Sequence, residues 1–240
     1  TWLMDGQPGR TFACADVGGN AVEMRVEDAA GNFDTCFATV TVVDDIAPVA
    51  ACQDITVNLS SPTITGDDLD GGSTDNCGIV TRTLSQDTFT CDDLGVNTVV
   101  LTVTDAAGNS ATCEATVVVV DTTAPVIQLQ GNASVLVECG ADYVDAGATA
   151  SDNCGDLTSA IDVSNPVDTS ERGVYTVTYN VSDASGNAAQ TVTRTVEVRD
   201  TTPPDISLAG ANPLFVDCSE EYVDPGATAT DTCDSAVLVT

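Results

Sequence analysis

The chain has 240 residues, 37 of them Asp or Glu and 6 Arg or Lys, for a formal charge of −31. All the basic residues are Arg (Arg10, Arg25, Arg82, Arg172, Arg194 and Arg199), and His and Lys are absent. This excludes a basic patch for nucleic acid or an anionic membrane surface, His-based dyads and triads, and Lys-based Schiff bases and P-loops. No pair of acids is singled out as a glycosidase would require, so the chain reads as a non-enzyme.

No apolar run reaches membrane-spanning length. Ten Cys in so acidic a chain point to an oxidising compartment, and without paired Cys-x-x-Cys motifs zinc is disfavoured. With neither an initiator Met nor a signal peptide, the chain is expected to be a mature or excised piece of a secreted protein.

Abundant Val and Thr favour strands. In chain order, strands are predicted over 54–59, 79–84, 97–104, 112–120, 134–138, 174–182 and 191–198. The pair 97–104 and 112–120, joined by Ala106-Ala-Gly-Asn109, carries a hairpin signature that recurs at 174–198. Trp2, Phe12 and Phe89 are assigned to the core.

The pattern is repetitive. Asp28-Ala-Ala-Gly-Asn32 returns as Asp105-Ala-Ala-Gly-Asn109 and Asp183-Ala-Ser-Gly-Asn187. Residues 14–49 and 91–126 share 22 of 36 positions without a gap. An acidic, Pro-ended linker recurs at 44–48, 121–125 and 200–204, and the frame Cys-x3-Tyr-Val-Asp-x-Gly-Ala-Thr-Ala at Cys139 and Cys218. A period near 78 residues with about seven short strands predicts an all-β chain of tandem Ig-like sandwiches. Another small β-sandwich topology is the alternative.

Residues 45–121 resemble a hyalin repeat (HYR) domain through Pro48…Cys52, Gly72-Ser-Thr-Asp-Asn-Cys77, Thr88-Phe-Thr-Cys91, Leu94-Gly-Val-Asn97, Asp105…Asn109, Cys113 and Asp121. Residues 122–200 resemble the Ig-like repeat of bacterial surface proteins through Tyr143-Val-Asp-x-Gly-Ala-Thr-Ala150, Gly173-Val-Tyr-Thr-Val-Thr-Tyr179, Asp183…Asn187 and Arg194-Thr-Val-Glu-Val198. Cys139 and Cys154 depart from that second pattern. The resemblance implies an extracellular adhesive or structural module without catalytic residues.

In this frame 1–44 match the second half of a unit and 201–240 the first half. The expected domains are 1–44, 45–121, 122–200 and 201–240. The two halves are expected to complete each other head to tail between copies of the chain, giving a filament. Otherwise they join neighbouring repeats of a longer array. The expected function is a segment of an extracellular filament or stalk, the alternative being a spacer in a large secreted adhesin.

Placing the motifs on an Ig frame gathers acids at one pole of each domain. The candidate Ca²⁺ ligands are Asp44, Asp45, Asp75, Asn76, Asp105 and Asn109; then Asp121, Asp152, Asn153, Asp183 and Asn187; then Asp200 and Asp231 with Asp28 and Asn32 from the other end. Ca²⁺ prefers such oxygen donors, although Asp and Asn also favour these turns for their own local hydrogen bonds. The expected disulfides are Cys139–Cys154, Cys218–Cys233, Cys52–Cys113 and Cys77–Cys91. Cys14 and Cys36 pair with each other, or across subunits with Cys233 and Cys218. Asn58, Asn132 and Asn180 open N-glycosylation triplets, and Thr122 and Thr201 match an O-glycosylation pattern.

Overall fold

The computed structural model describes residues 3–4, 9–234 and 237–239. Trp2 lies outside them. The chain forms two compact units, 1–121 and 122–240, both built almost wholly of strands.

In the first unit, β1 (Leu3–Met4), β2 (Gly18–Glu27) and β3 (Phe33–Val42) form an antiparallel sheet. A second sheet has the order β4-β7-β6-β5, from β4 (Ile55–Asn58), β5 (Ile79–Leu84), β6 (Gly95–Asp105) and β7 (Ser110–Val120). β4 runs parallel to β7. One helical turn, α1 (Gly66–Leu69), lies between β4 and β5.

Period-two patterning sets which face is buried. Along β6, Val99, Leu101 and Val103 are fully buried, and on β7 so are Ala115, Val117 and Val119. Val99, Ala115, Val117 and Val119 pack with Val57, Ile64, Leu69 and Phe89. Phe89 is thus in the core, whereas Phe12 is only half-buried, under the Arg10 guanidinium.

In the second unit, β9 (Ser134–Glu138), β11 (Asp162–Ser164), β12 (Gly173–Asn180) and β13 (Val192–Arg199) form a sheet ordered β11-β12-β13-β9. Again the first strand, β9, runs parallel to the last, β13. β8 (Val126–Leu129) and β10 (Ala148–Ser151) make the facing two-stranded sheet. Ile127 and Ala150 from that sheet meet Val137, Val177, Tyr179 and Val196 from the other in one core, a sandwich. β14 (Asp205–Leu208) and β15 (Ala227–Thr230) pair beyond it.

One charged group is buried in this core. Arg194 is 1% exposed. Its Nη1 is ion-paired to Asp145 and donates to Tyr179 Oη at 3.0 Å; Nε donates to Asn132 O and Nη2 to the carbonyls of Gln130 and Gly147. Asp145 also accepts from Tyr179 Oη (2.6 Å) and Tyr143 Oη (2.9 Å). Burial alone raises the Asp145 pKa, but the hydrogen bonds from Tyr179, Tyr143 and Arg194 outweigh it and hold it below the usual carboxylate range.

The disulfides correct the sequence expectations. Cys52 bonds Cys113, as the parallel first and last strands require, but Cys77 bonds Cys14 and Cys139 bonds Cys233. Cys91 and Cys154 are disulfide-bonded, and Cys36 and Cys218 are free and exposed. The reason is polar geometry. Cys77 sits beside the Asp105 end of β6, and Cys91 just before its Gly95 start, about 30 Å away along the strand. Cys139 lies beside Arg199 at the end of β13, its N–H on the Arg199 carbonyl, whereas Cys154 lies in the turn following β10 at the other pole. Cys218 and Cys233 stand in the same relation. A Cys77–Cys91, Cys139–Cys154 or Cys218–Cys233 bond would have to run the length of the sandwich. Instead, Cys14–Cys77 and Cys139–Cys233 each span a joint between successive repeats.

Candidate metal centre

The Asp-x-x-Gly-Asn motif folds the same way three times. Asp28, Asp105 and Asp183 each donate their N–H to the carbonyl of Asn32, Asn109 and Asn187. Each carboxylate accepts the backbone N–H and side-chain amide of that Asn, at 2.7–2.9 Å. The Gly before each Asn has φ near +90°, a region that disfavours side chains. The turn therefore aims an Asp at the pole. Burial raises the Asp105 carboxyl pKa, and hydrogen bonds from Asn109 and the neighbouring amides bring it below the ordinary value.

In the first unit, oxygens of Asp44, Asp75 and Asp105 all lie within 4.8 Å of one another. Asp44 comes from the linker, Asp75 from the loop before β5 and Asp105 from the end of β6. Asp75 Oδ1 accepts the Cys77 N–H at 2.8 Å. Its Oδ2 is buried and has no hydrogen-bond partner among the described residues. A buried, unpaired carboxylate oxygen facing two other carboxylates is strongly unfavourable unless a cation is present. The donors are all hard oxygens, which fits Ca²⁺ and not a thiolate- or imidazole-seeking metal.

Other predicted ligands have different places. Asp45 is exposed and stands outside the triad. Asn76 Nδ2 donates to Asp44 Oδ1 at 3.2 Å, and Asn109 Nδ2 to the Asp44 and Ile46 carbonyls. These two amides hold the ligands in place.

In the second unit, Asp200, Asp231 and Asp234 form a like triad. Asp28 and Asn32 keep to their own turn in the first unit. Asp234 was missed, although its acid three residues after Asp231 was visible. Asp152 and Asp183 also bring oxygens within 4.8 Å of one another, and Asp152 Oδ2 is buried with no hydrogen-bond partner among the described residues. Asn153 shares the Asp152 turn, and Asp121 closes the first unit.

Of the glycosylation candidates, Asn132 and Thr122 are exposed, while Asn58 Oδ1 caps Ser60 N–H. Asn180 Oδ1 accepts from Thr191, and the Thr201 hydroxyl donates to Glu138 at 2.8 Å.

These repeats are tandem Ig-like domains, and they resemble the hyalin-repeat and bacterial-surface kinds. Residues 127–198 match the family described as "Bacterial surface protein, Ig-like domain". The chain is similar to hyalin of Lytechinus variegatus, 36% identical over 98% of this chain and 47% of that protein. It is also similar to hyalin of Strongylocentrotus purpuratus, 33% identical over 96% of this chain and 21% of that protein. The chain thus spans about half or less of these relatives. Among solved structures, protocadherin gamma B7 extracellular cadherin domains 1–4 align with 95% of this chain and 70% of theirs, at 14% identity and a TM-score of 0.39. Eight cysteines in disulfides, within repeats of this surface type, make the chain an extracellular one.

Proposed function

We propose that the chain is a segment of an extracellular structural array whose joints are stiffened by Ca²⁺ held by the polar acid triads. The observation that carries this is the Asp75 oxygen, buried and unpartnered between Asp44 and Asp105. Each triad draws on the linker and on loops of the domain that follows it, so a bound cation would fix the angle at which the chain enters that domain. The disulfides Cys14–Cys77 and Cys139–Cys233 cross the same joints.

The test is thermal unfolding of the intact chain with EDTA and with saturating Ca²⁺. A rise of roughly 5–10 °C with Ca²⁺ is expected for a ligand at about a hundred times its Kd. It should shrink in Asp75→Asn. An identical melting curve in EDTA and Ca²⁺ sinks the cation. Electron microscopy of the native material tests the filament, and dispersed particles would count against it. The partial span of the hyalins favours a second reading, a spacer in a longer adhesin.

A further inference from the structure

β14 and β15 pair in the register of β8 and β10. Asp205 faces Thr230 and Leu208 faces Ala227, as Val126 faces Ser151 and Leu129 faces Ala148. The turns agree as well. Ala209 N–H donates to Gly226 O and Gln130 N–H to Gly147 O, both at 2.9 Å. Asp224 and Asp145 each accept the N–H of the Gly two residues on. The same half-sandwich is therefore built twice.

What covers it differs. In the earlier copy Ile127 is 8% exposed, beneath Val177, Tyr179 and Val196 of β12 and β13. In the later copy Ile206 is 65% and Leu208 63% exposed. Tyr222 and Asp224, in the places of Tyr143 and Asp145, are exposed too.

We propose that this face binds one kind of partner: a β-hairpin of the β12–β13 type that brings a tyrosine and an arginine at the positions of Tyr179 and Arg194. The arginine is the selective element. A hairpin landing here buries Asp224, and a buried carboxylate needs a counter-charge and hydrogen-bond donors. In the complete domain Arg194, Tyr179 and Tyr143 supply them to Asp145.

The β2–β3 hairpin of this chain cannot. Strand register sets Val177 opposite Arg194, Val99 opposite Ala115 and Val22 opposite Ala38. In the same way Tyr179, Leu101 and Met24 occupy one position. A second copy of the chain, offering β2–β3, would set Met24 and Ala38 against Asp224. Cys36 would be mismatched as well. Its counterpart Cys113 bonds Cys52, and counting from the paired residues Val49 and Asp205, the place of Cys52 is taken by Leu208. The fitting partner is therefore a hairpin from another repeat of the bacterial-surface type. The inference needs no cation.

The test extends the full 240-residue chain at its C-terminus and follows amide hydrogen exchange at 205–208 and 227–230. A copy of residues 162–200 should slow exchange at least 100-fold. Met and Ala at its Tyr179 and Arg194 positions should forfeit at least tenfold of that. Asp224→Asn in the host should narrow the difference, a response that general misfolding of the extension would not produce. Equal slowing by a copy of residues 7–44 would overturn the proposal, as would no slowing by any extension. Protection of the unextended chain that grows with its concentration would also overturn it, by making a second copy the occupant.

Discussion

Asn109 Nδ2 donates both to Asp105 Oδ2, at 2.8 Å, and to the backbone carbonyl of Asp44, at 3.0 Å. One side-chain amide thus ties the turn after β6 to the linker that enters the domain. It touches two members of the acid triad without offering them a charge. Such a group positions ligands.

Asn109→Ala should therefore weaken Ca²⁺ binding about tenfold or more, although it removes none of the three carboxylates. Titration calorimetry of the intact chain reads this directly. Asn109→Asp, which keeps an oxygen but loses the donor, should not restore it. Unchanged affinity in both variants would remove Asn109 from the site.

Arg194→Met should destabilise the second unit by about 3–5 kcal/mol, because it strands Asp145 without its buried counter-charge. Arg194→Met with Asp145→Leu should recover much of the loss, since a buried pair replaced by apolar groups is often near neutral. Urea unfolding of the single and double variants gives the cycle. Additive losses would mean that the two residues do not act as a pair.

Acid should act through the same carboxylate. The folded Asp145 titrates below the ordinary Asp value of about 3.9. Its stabilisation is complete above that value and is lost as pH falls through the lower, folded one. The gap in urea midpoint between the wild-type chain and Asp145→Asn should be widest above about pH 5 and narrow progressively as pH falls below about 4. A gap that stays constant down to pH 2 would contradict the network.

Non-reducing digestion and mass spectrometry should recover the linked peptides Cys14–Cys77, Cys52–Cys113 and Cys139–Cys233, with Cys36 and Cys218 open to alkylation. Removing either joint bridge should cost about 4–5 kcal/mol, given loops of 63 and 94 residues. A Cys139–Cys154 peptide would reverse the assignment.

Much of this was legible in the sequence. The strands over 79–84 and 134–138 were placed with the bounds the structure gives them. Val and Thr alternation fixes a strand locally, and Gly108 fixes its turn. Asp44, Asp75 and Asp105 were legible because each sits at a fixed offset within the repeat, whereas Asp234 stands where the other repeats have Gly78 and Gly155. The bridges were not, because closeness in sequence between Cys139 and Cys154 says nothing about opposite ends of a sandwich. Nor was the role of Arg194 drawn out, although an Arg at an inward position of an alternating strand was its signal. Its partner Asp145 lies 49 residues away, and only the sheet register brings the two together.

The joint bridges also decide how the chain meets a pull along its length. Tension entering at Cys14 leaves through sulfur to Cys77, so the 63-residue stretch between them lies off the loaded path. Cys139–Cys233 does the same for 94 residues. At about 3.4 Å per extended residue, some 200 and 300 Å of slack stay locked away even if every sheet comes apart. With both bridges closed, only the residues outside the two loops, 78–138 among them, can extend under tension, and reduction releases the rest.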